Sequence, residues 1–393
     1  MGDHKTDYIV EKITNMDQLK GIEKEWRRLF SAKKDIPFLF SYDFFYYYFK
    51  AVINSFKNVE LSILIVKNHY DKIVAIFPFT LEKRRFACFF IYKALSLKDS
   101  NLIQAYYFLI DPHEKVGEIF NTLTRFIHSL KGDWDIASID YIPEGEPLLE
   151  ECIGNFSNLF KKTEWGSETL VIDCEQAFSE YVRKDMDKRN HEETKRRIRR
   201  LNEVGELKLI KIDKADLIRH ELEKFYEIEH KNWKGRAKSS LKSKYFGEFY
   251  RNVFFHYAEE EKMQLYFLRL NNQYIAGQCV ILDRDICYLI RSGYDEDYYK
   301  YSPSTVCTFK LFEHLFGVKE IKKIDWYGHY YPYEKRYGKR TRKRYSYTFF
   351  NNKIHLQLFW YCKITFLFIL DRWRRLNLLR PAIKRVIVFI RNK

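Results

Sequence analysis

The 393-residue chain is poor in the residues that interrupt structure, with eight prolines, fifteen glycines and no serine- or glycine-rich run. That scarcity excludes long flexible linkers and predicts a chain folded almost throughout. Cysteine is also sparse. The seven, Cys88, Cys152, Cys174, Cys279, Cys287, Cys307 and Cys362, are odd in number, scattered, mostly inside apolar runs and never spaced Cys-x-x-Cys. This pattern argues against a disulfide framework or a zinc site and for buried thiols in a reducing compartment. The start, Met1-Gly2-Asp3-His4-Lys5, leads into mixed charge without the apolar core of a secretion signal, so a cytoplasmic location is expected. No helix-turn-helix, zinc or aromatic RNA motif is present, so DNA is not an expected partner. Residue spacing supports neither a bound metal nor a nucleophile triad.

What the chain has is apolar bulk and positive charge: 46% hydrophobic, 18% aromatic, and a formal net charge of +16. Its length exceeds what one core usually serves, which predicts two domains. The charge favours anionic partners, among them coenzyme A phosphates, nucleotide sugars, RNA or an anionic membrane, without choosing between them.

Periodicity and turn residues predict an α/β order. Helices are expected over 17–30, 43–53, 115–130 and near 147–151, and strands over 61–66, 73–79, 86–91, 135–141 and 168–173. The alternation then recurs: a helix over 178–204, a strand over 207–212, helices over 217–232 and 247–261, and strands over 265–270, 274–282 and 286–291. Ser302-Pro303-Ser304 opens a further helix that Gly317 closes, and a strand over 321–326 has Gly328 just past its end. The repeat is one of architecture, not of residues. It suggests boundaries at 1–173, 174–353 and a tail over 354–393.

Within the second half, Tyr294-Asp295, Ser302-Pro303-Ser304, Asp325, Gly328 and Tyr333-Glu334-Lys335-Arg336-Tyr337-Gly338 follow one another in an order that resembles the GNAT acyltransferase superfamily. The pattern is most similar to the bacterial branch with two tandem GNAT-type domains, of the cellulose- or exopolysaccharide-biosynthesis type, related to peptidoglycan cross-bridge aminoacyltransferases. The helix from Asp187 to Leu201 followed by Gly205, and the segment His230-Lys231-Asn232-Trp233-Lys234-Gly235, resemble it too. Ser304 stands where that branch usually has glycine and Glu334 where it has lysine, and the common Gln/Arg-x-x-Gly-x-Gly/Ala loop is missing.

The resemblance implies two tandem GNAT-like domains with mixed, largely antiparallel sheets flanked by helices. It also implies direct transfer of an acyl group from acetyl-CoA or another acyl-CoA to an amine. Such a reaction needs a proton acceptor, donors for the oxyanion and a proton for the leaving thiolate. Asp325 is a candidate base or the cap of the Trp326-Tyr327 turn; His329 is a second candidate base or a wall residue; Tyr294 is a candidate acid or packing. Ser302 and Ser304 open the helix expected to receive phosphate. Arg189, Trp233, Asp295, Tyr333 and Lys335 are candidates for holding the acceptor.

Two basic blocks admit two readings each. Arg189, Arg196 and Arg200 share a helix face that either binds phosphate or is solvated, and the basic loop expected over 335–344 offers Lys339, Arg340 and Arg342 to an anion. The tail is apolar over 356–370 and amphipathic beyond Pro381, suited to the inner face of an anionic membrane or to covering the protein's own sheet or a second subunit. The leading expectation is an N-acyltransferase of an amino sugar, nucleotide sugar or related envelope precursor. The alternatives are aminoacyl transfer from tRNA, which a missing coiled-coil hairpin disfavours, and a non-enzymatic binder of anionic surfaces.

Overall fold

The computed structural model describes residues 8–34, 36–86, 90–98, 102–130, 132–159, 161–236, 240–328, 330, 332–351, 361 and 365. The chain clusters into two compact units, one made of Met1–Ile36, Phe56–Gly166 and Tyr345–Lys393, the other of Pro37–Ser55 and Ser167–Arg344. Of the tail over 354–393, all but Tyr361 and Thr365 lies outside the described residues.

The first unit opens with strand β1 (Tyr8–Ile13), which the sequence did not signal. Asn15 then accepts from the Asp17 and Gln18 N–H groups and starts helix α1 (Met16–Gly21). Helix α2 (Glu23–Ser31) follows, with Trp26 and Leu29 buried, so the single helix expected over 17–30 is two, broken at Ile22. After these the chain enters the second unit for helix α3 (Tyr42–Ser55) and returns with β2 (Val59–Leu61), β3 (Ile63–Asn68), β4 (Ile73–Phe77), β5 (Thr80–Phe86), β6 (Phe90–Ser96), β7 (Leu109–Ile110), α4 (Val116–Ser129), β8 (Ile136–Pro143) and α5 (Leu149–Leu159). One antiparallel sheet runs β1-β3-β4-β7. In the other, β2, β5 and β6 are antiparallel and β8 joins β6 in parallel.

Strand β9 (Lys161–Asp173) leads into the second unit. The helix expected over 178–204 is two, α6 (Phe178–Lys184) and α7 (Lys188–Val204), because Asp187 leaves helical geometry and its carboxylate accepts from the Asn190 N–H at 2.7 Å. There follow β10 (Leu207–Ile212), α8 (Ala215–Lys231), α9 (Trp233–Arg236), α10 (Lys244–Glu259), β11 (Met263–Leu270), β12 (Gln273–Asp283), β13 (Ile286–Tyr294), α11 (Pro303–Leu315), β14 (Lys323–Asp325) and β15 (Thr341–Phe350). The sheet of this unit runs β10-β11-β12-β13-β14-β9. All of its pairs are antiparallel except β13 with β14. Leu170, Ile172, Tyr266, Val280, Cys287 and Phe312 belong to its core.

The aromatic segment before and in α3 packs in this second unit. Phe38 meets Tyr257 and Tyr288 edge-on at 5.0 and 5.2 Å, Phe44 meets Phe249 at 5.3 Å, and Ser41 Oγ lies 2.9 Å from the Tyr257 hydroxyl. Among the described residues Cys152, Cys174, Cys279, Cys287 and Cys307 are buried free thiols. No described helix is long and apolar enough to cross a membrane.

Candidate active site

Strands β13 and β14 pair over only three positions, Ile286 with Lys323, Cys287 with Ile324 and Tyr288 with Asp325. There β14 stops and the chain turns at Tyr327, which has φ 60°, while β13 runs on to Tyr294. A crevice of about 320 Å³ occupies the gap. Leu289 to Ser292 and Tyr294 line it from β13, Trp326, Gly328 and residues 333, 334, 336 and 337 from beyond β14, and Ser304, Thr305 and Thr308 from α11. In β13 the register with β12 shifts between Cys279 and Val280, so that Cys279 faces Arg291 and Val280 faces Leu289, with Ile290 as the extra residue of a bulge. Such a bulge re-aims the side chains around it and interrupts the ladder. The first turn of α11, opened by Pro303, places Ser304 and Thr305 in the crevice lining.

Lys234 and Arg291 join Asn232 and Gln278 in lining the crevice, and behind them lies a buried charge cluster. Glu229 of α8 is 0% exposed, and its Oε1 accepts from Arg291 at 2.5 Å and Lys234 at 3.3 Å. Its Oε2 accepts from the Leu241 N–H at 2.7 Å. Lys234 also donates to the Ser292 carbonyl at 2.5 Å, and the Arg291 guanidinium covers the Tyr250 ring at 5.2 Å. Burial and the adjacent Arg291 lower the Lys234 ammonium to about 8, against the pull of Glu229.

Local sequence explains how α9 reaches this position. The Asn232 side chain accepts from the Lys234 N–H at 2.8 Å just after α8 ends, which starts the short α9. Gly235 follows because a Cβ there would lie 2.0 Å from the His230 carbonyl oxygen. Gly293 serves the same closeness from the other side: a Cβ would stand 2.9 Å from the Glu229 Cβ, so glycine lets β13 come flush against α8.

The residues singled out from sequence fall in several places. Tyr294, Ser304 and Tyr333 line the crevice. Tyr333 also borders a second depression of about 350 Å³ that holds Arg189, Arg197, Lys335 and Arg336. Lys339 and Arg340 border a third, of about 360 Å³, beside Val171, Asp173 and Tyr181, where Arg340 pairs with Asp173 at 3.2 Å. Asp325 is buried, accepting from the Tyr327 N–H at 2.8 Å and Arg342 at 2.7 Å, and does not line the crevice. Asp295 is likewise buried, pairing with Lys231 at 2.7 Å and accepting from the Asp297 N–H at 3.1 Å. Ser302 adopts the left-handed conformation with φ 47°, and its carbonyl accepts from the Thr305 and Val306 N–H groups. His329 lies outside the described residues, as does the side chain of Trp233.

The stretch over 335–344 is not the basic loop expected. From Thr341 it is strand β15, and Arg344 is 1% exposed, donating to the Glu168 and Gly328 carbonyls at 3.2 and 3.1 Å. Strand alternation turns Arg344 inward, where its Nη2 donates to those two backbone oxygens. Sequence reasoning also passed over Glu229, Arg291 and Gln278, and took Glu334 only as a departure from a pattern. Glu334 is 1% exposed and lines the crevice. The available signal was a charged residue directly after each of the apolar-rich stretches Phe225 to Ile228 and Tyr288 to Ile290.

Residues 188–335, from α7 through most of the crevice wall, match the family described as the acetyltransferase (GNAT) domain. No curated protein matches the chain. Among solved structures, FemX is similar with a TM-score of 0.55 at 11% identity, over 89% of this chain and 99% of that one. A tandem GNAT protein from the clavulanic acid biosynthesis pathway gives 0.48 at 9% identity, over 88% and 99% of the two chains. L-PGS from Bacillus licheniformis gives 0.40 at 9% identity, over 73% and 84%. The likeness to FemX is one of fold, and the match to the acetyltransferase (GNAT) domain family lies within the second unit.

Proposed function

We propose that this chain is an acyl-CoA-dependent N-acyltransferase of the tandem-GNAT type, acting on an amino sugar, nucleotide sugar or related envelope precursor. The observation that carries this reading is the gap between β13 and β14, with a bulged strand on one wall and the start of α11 at its end. An extended thioester arm fits along β13, where backbone N–H groups near the bulge would meet the oxyanion. The donor's diphosphate is assigned to the first turn of α11 at Ser302 and Ser304.

In the transfer the acceptor nitrogen attacks the thioester carbonyl, a C–N bond forms, the C–S bond breaks, and the nitrogen gives up a proton. Glu334, the buried carboxylate lining the crevice, is our candidate proton acceptor, and Tyr294 the candidate donor to the leaving thiolate. Asp325 is engaged by Arg342 and the Tyr327 N–H, which supports a role in holding the turn. Arg189, Tyr333 and Lys335, which share one depression, are assigned to the acceptor's distal part.

Aminoacyl transfer from tRNA is the second reading, favoured by the +16 charge and the arginines of α7. Calorimetric titration of the full chain with acetyl-CoA and coenzyme A at two salt concentrations separates the two. Saturable binding that weakens with salt supports acyl-CoA, and no binding at millimolar ligand transfers the case to aminoacyl-tRNA.

A further inference from the structure

The start of α3 and the end of α10 bring three side chains with metal-binding chemistry together, none of which lines the crevice. Asp43 stands in the first turn of α3, His256 in the last turn of α10, and Glu260 is the residue that ends α10. The Glu260 N–H donates to the His256 carbonyl at 3.2 Å, so the helical path continues to Glu260 and its carboxylate shares a face with the imidazole one turn earlier. Asp43 Oδ2 lies 3.5 Å from His256 Nε2, and Glu260 Oε1 lies 3.2 Å from it. One ligand atom of each side chain is within 4.8 Å of the other two. The Phe44 and Phe249 rings hold the two helices together at 5.3 Å, and the His256 ring is set between Tyr47 at 5.7 Å and Tyr257 at 5.0 Å.

A protonated imidazole between two carboxylates would draw an oxygen to about 2.7–2.9 Å along its N–H bond. His256 Nε2 is instead buried, has no hydrogen-bond partner among the described residues, and stands 3.2 and 3.5 Å from the two oxygens. Those are the separations of donors that share one ion: ligands at about 2.0–2.1 Å in a tetrahedral array lie roughly 3.3–3.4 Å apart. A neutral ring with its proton on Nδ1 turns a lone pair of Nε2 toward the cluster. Lys262 takes the other Glu260 oxygen, Oε2, at 2.7 Å, which leaves Oε1 on the imidazole side. Exposure rises from 16% for the Asp43 side chain through 21% for His256 to 37% for Glu260, so an ion has a way in past Glu260.

We propose that Asp43, His256 and Glu260 form a site for one divalent transition cation of the Zn²⁺ type, held by one imidazole nitrogen and two carboxylate oxygens with water completing the shell. The mixed nitrogen and oxygen set suits such a cation better than Mg²⁺ or Ca²⁺, which take oxygen ligands. The bound ion pins the start of α3 to the end of α10, and so fastens the 37–55 segment to a helix of the unit that segment joins. Spacing along the chain does not reveal the site, because His256 and Glu260 alone are an ordinary pair one turn apart and Asp43 comes from a distant helix. The site is independent of the acyltransferase reading, and its failure would leave that reading untouched.

The probe is Zn²⁺, titrated calorimetrically into the full chain after treatment with a chelator. Saturable one-to-one binding is expected, with slower hydrogen exchange in peptides covering 42–47 and 253–260 once the ion is bound. Loss of an outer partner of a metal ligand already costs about 10–100-fold in affinity, so His256→Gln and Asp43→Asn should each weaken binding by about a hundredfold or more. Glu260→Gln changes an exposed side chain with little change of shape, should weaken binding about tenfold, and keeps the test decisive if either of the others misfolds. Lys262→Met removes only the outer partner of Glu260 and should leave binding within a few-fold. No saturable binding at submillimolar Zn²⁺ overturns the site. So does binding that His256→Gln and Glu260→Gln both leave unchanged, which would belong to thiols or scattered carboxylates. A merely structural ion pair would show itself in the urea midpoints of the variants without any Zn²⁺-dependent protection at 42–47 and 253–260, and that result also overturns the proposal.

Discussion

Each unit buries a carboxylate between two basic side chains, and the two clusters are built differently. In the first unit, Glu82 pairs with Arg84 at 2.6 Å and Lys98 at 2.5 Å, and Arg84 donates onward to Ser96 at 3.0 Å. These partners come from one antiparallel pair, β5 with β6, and the residues just after it, and Arg84 remains 30% exposed. In the second unit, Glu229 collects Lys234 from α9 and Arg291 from β13, both nearly buried and both lining a crevice. A local trio whose cation reaches water ties down a hairpin. A trio assembled from distant elements over a cavity leaves charge facing whatever enters. The same three residue types thus sit on a hairpin in one place and beside a crevice in the other.

Breaking each carboxylate should separate the two most sharply. Glu229→Ala leaves two buried cations without their anion and should cost about 3–5 kcal/mol. Glu82→Ala, whose cations can turn to solvent, should cost about 1–2 kcal/mol. Urea denaturation of both variants checks the contrast, and equal losses would erase it. Next in size is Gly293→Ala. Its methyl would press on the Glu229 Cα at 3.0 Å and force β13 away from α8, for about 1–3 kcal/mol and a weaker response to any crevice ligand. The smallest effect concerns acid. Burial alone would raise the Glu82 carboxyl, but Arg84 and Lys98 outweigh it and hold it below the ordinary value. Its contribution is therefore complete above the unfolded-state value and is lost as the pH falls through the folded one. The fall in urea midpoint from about pH 5 to about pH 3 should be larger in wild type than in Glu82→Gln.

How much of this could be read from the residues follows from the range of the forces involved. Most strands and helices of the second unit, though not α9 or β15, announced themselves through alternation, turn pairs such as Asn271-Asn272, and Ser302-Pro303, because those signals are local. The break between α6 and α7 was missed because apolar periodicity runs across it, although Asp187 could have been read as a cap. Arg342 and Arg344 looked like free surface charge. Only the pairing of β15 turns Arg344 onto carbonyls, and only the Tyr327 turn brings Asp325 to Arg342. The charge cluster was illegible for the same reason: Glu229 and Arg291 lie far apart in sequence, and nothing near either one names its partner.

Hydrogen exchange of the full chain with and without saturating acetyl-CoA tests the role of the gap between β13 and β14 most directly. Slower exchange is expected in peptides covering residues 289–294 and 302–308, with little change at 171–176 and 338–340. Protection confined to the 171–176 and 338–340 depression, or none at any peptide under conditions where acetyl-CoA binds, would contradict the assignment of the crevice as the acyl-donor site.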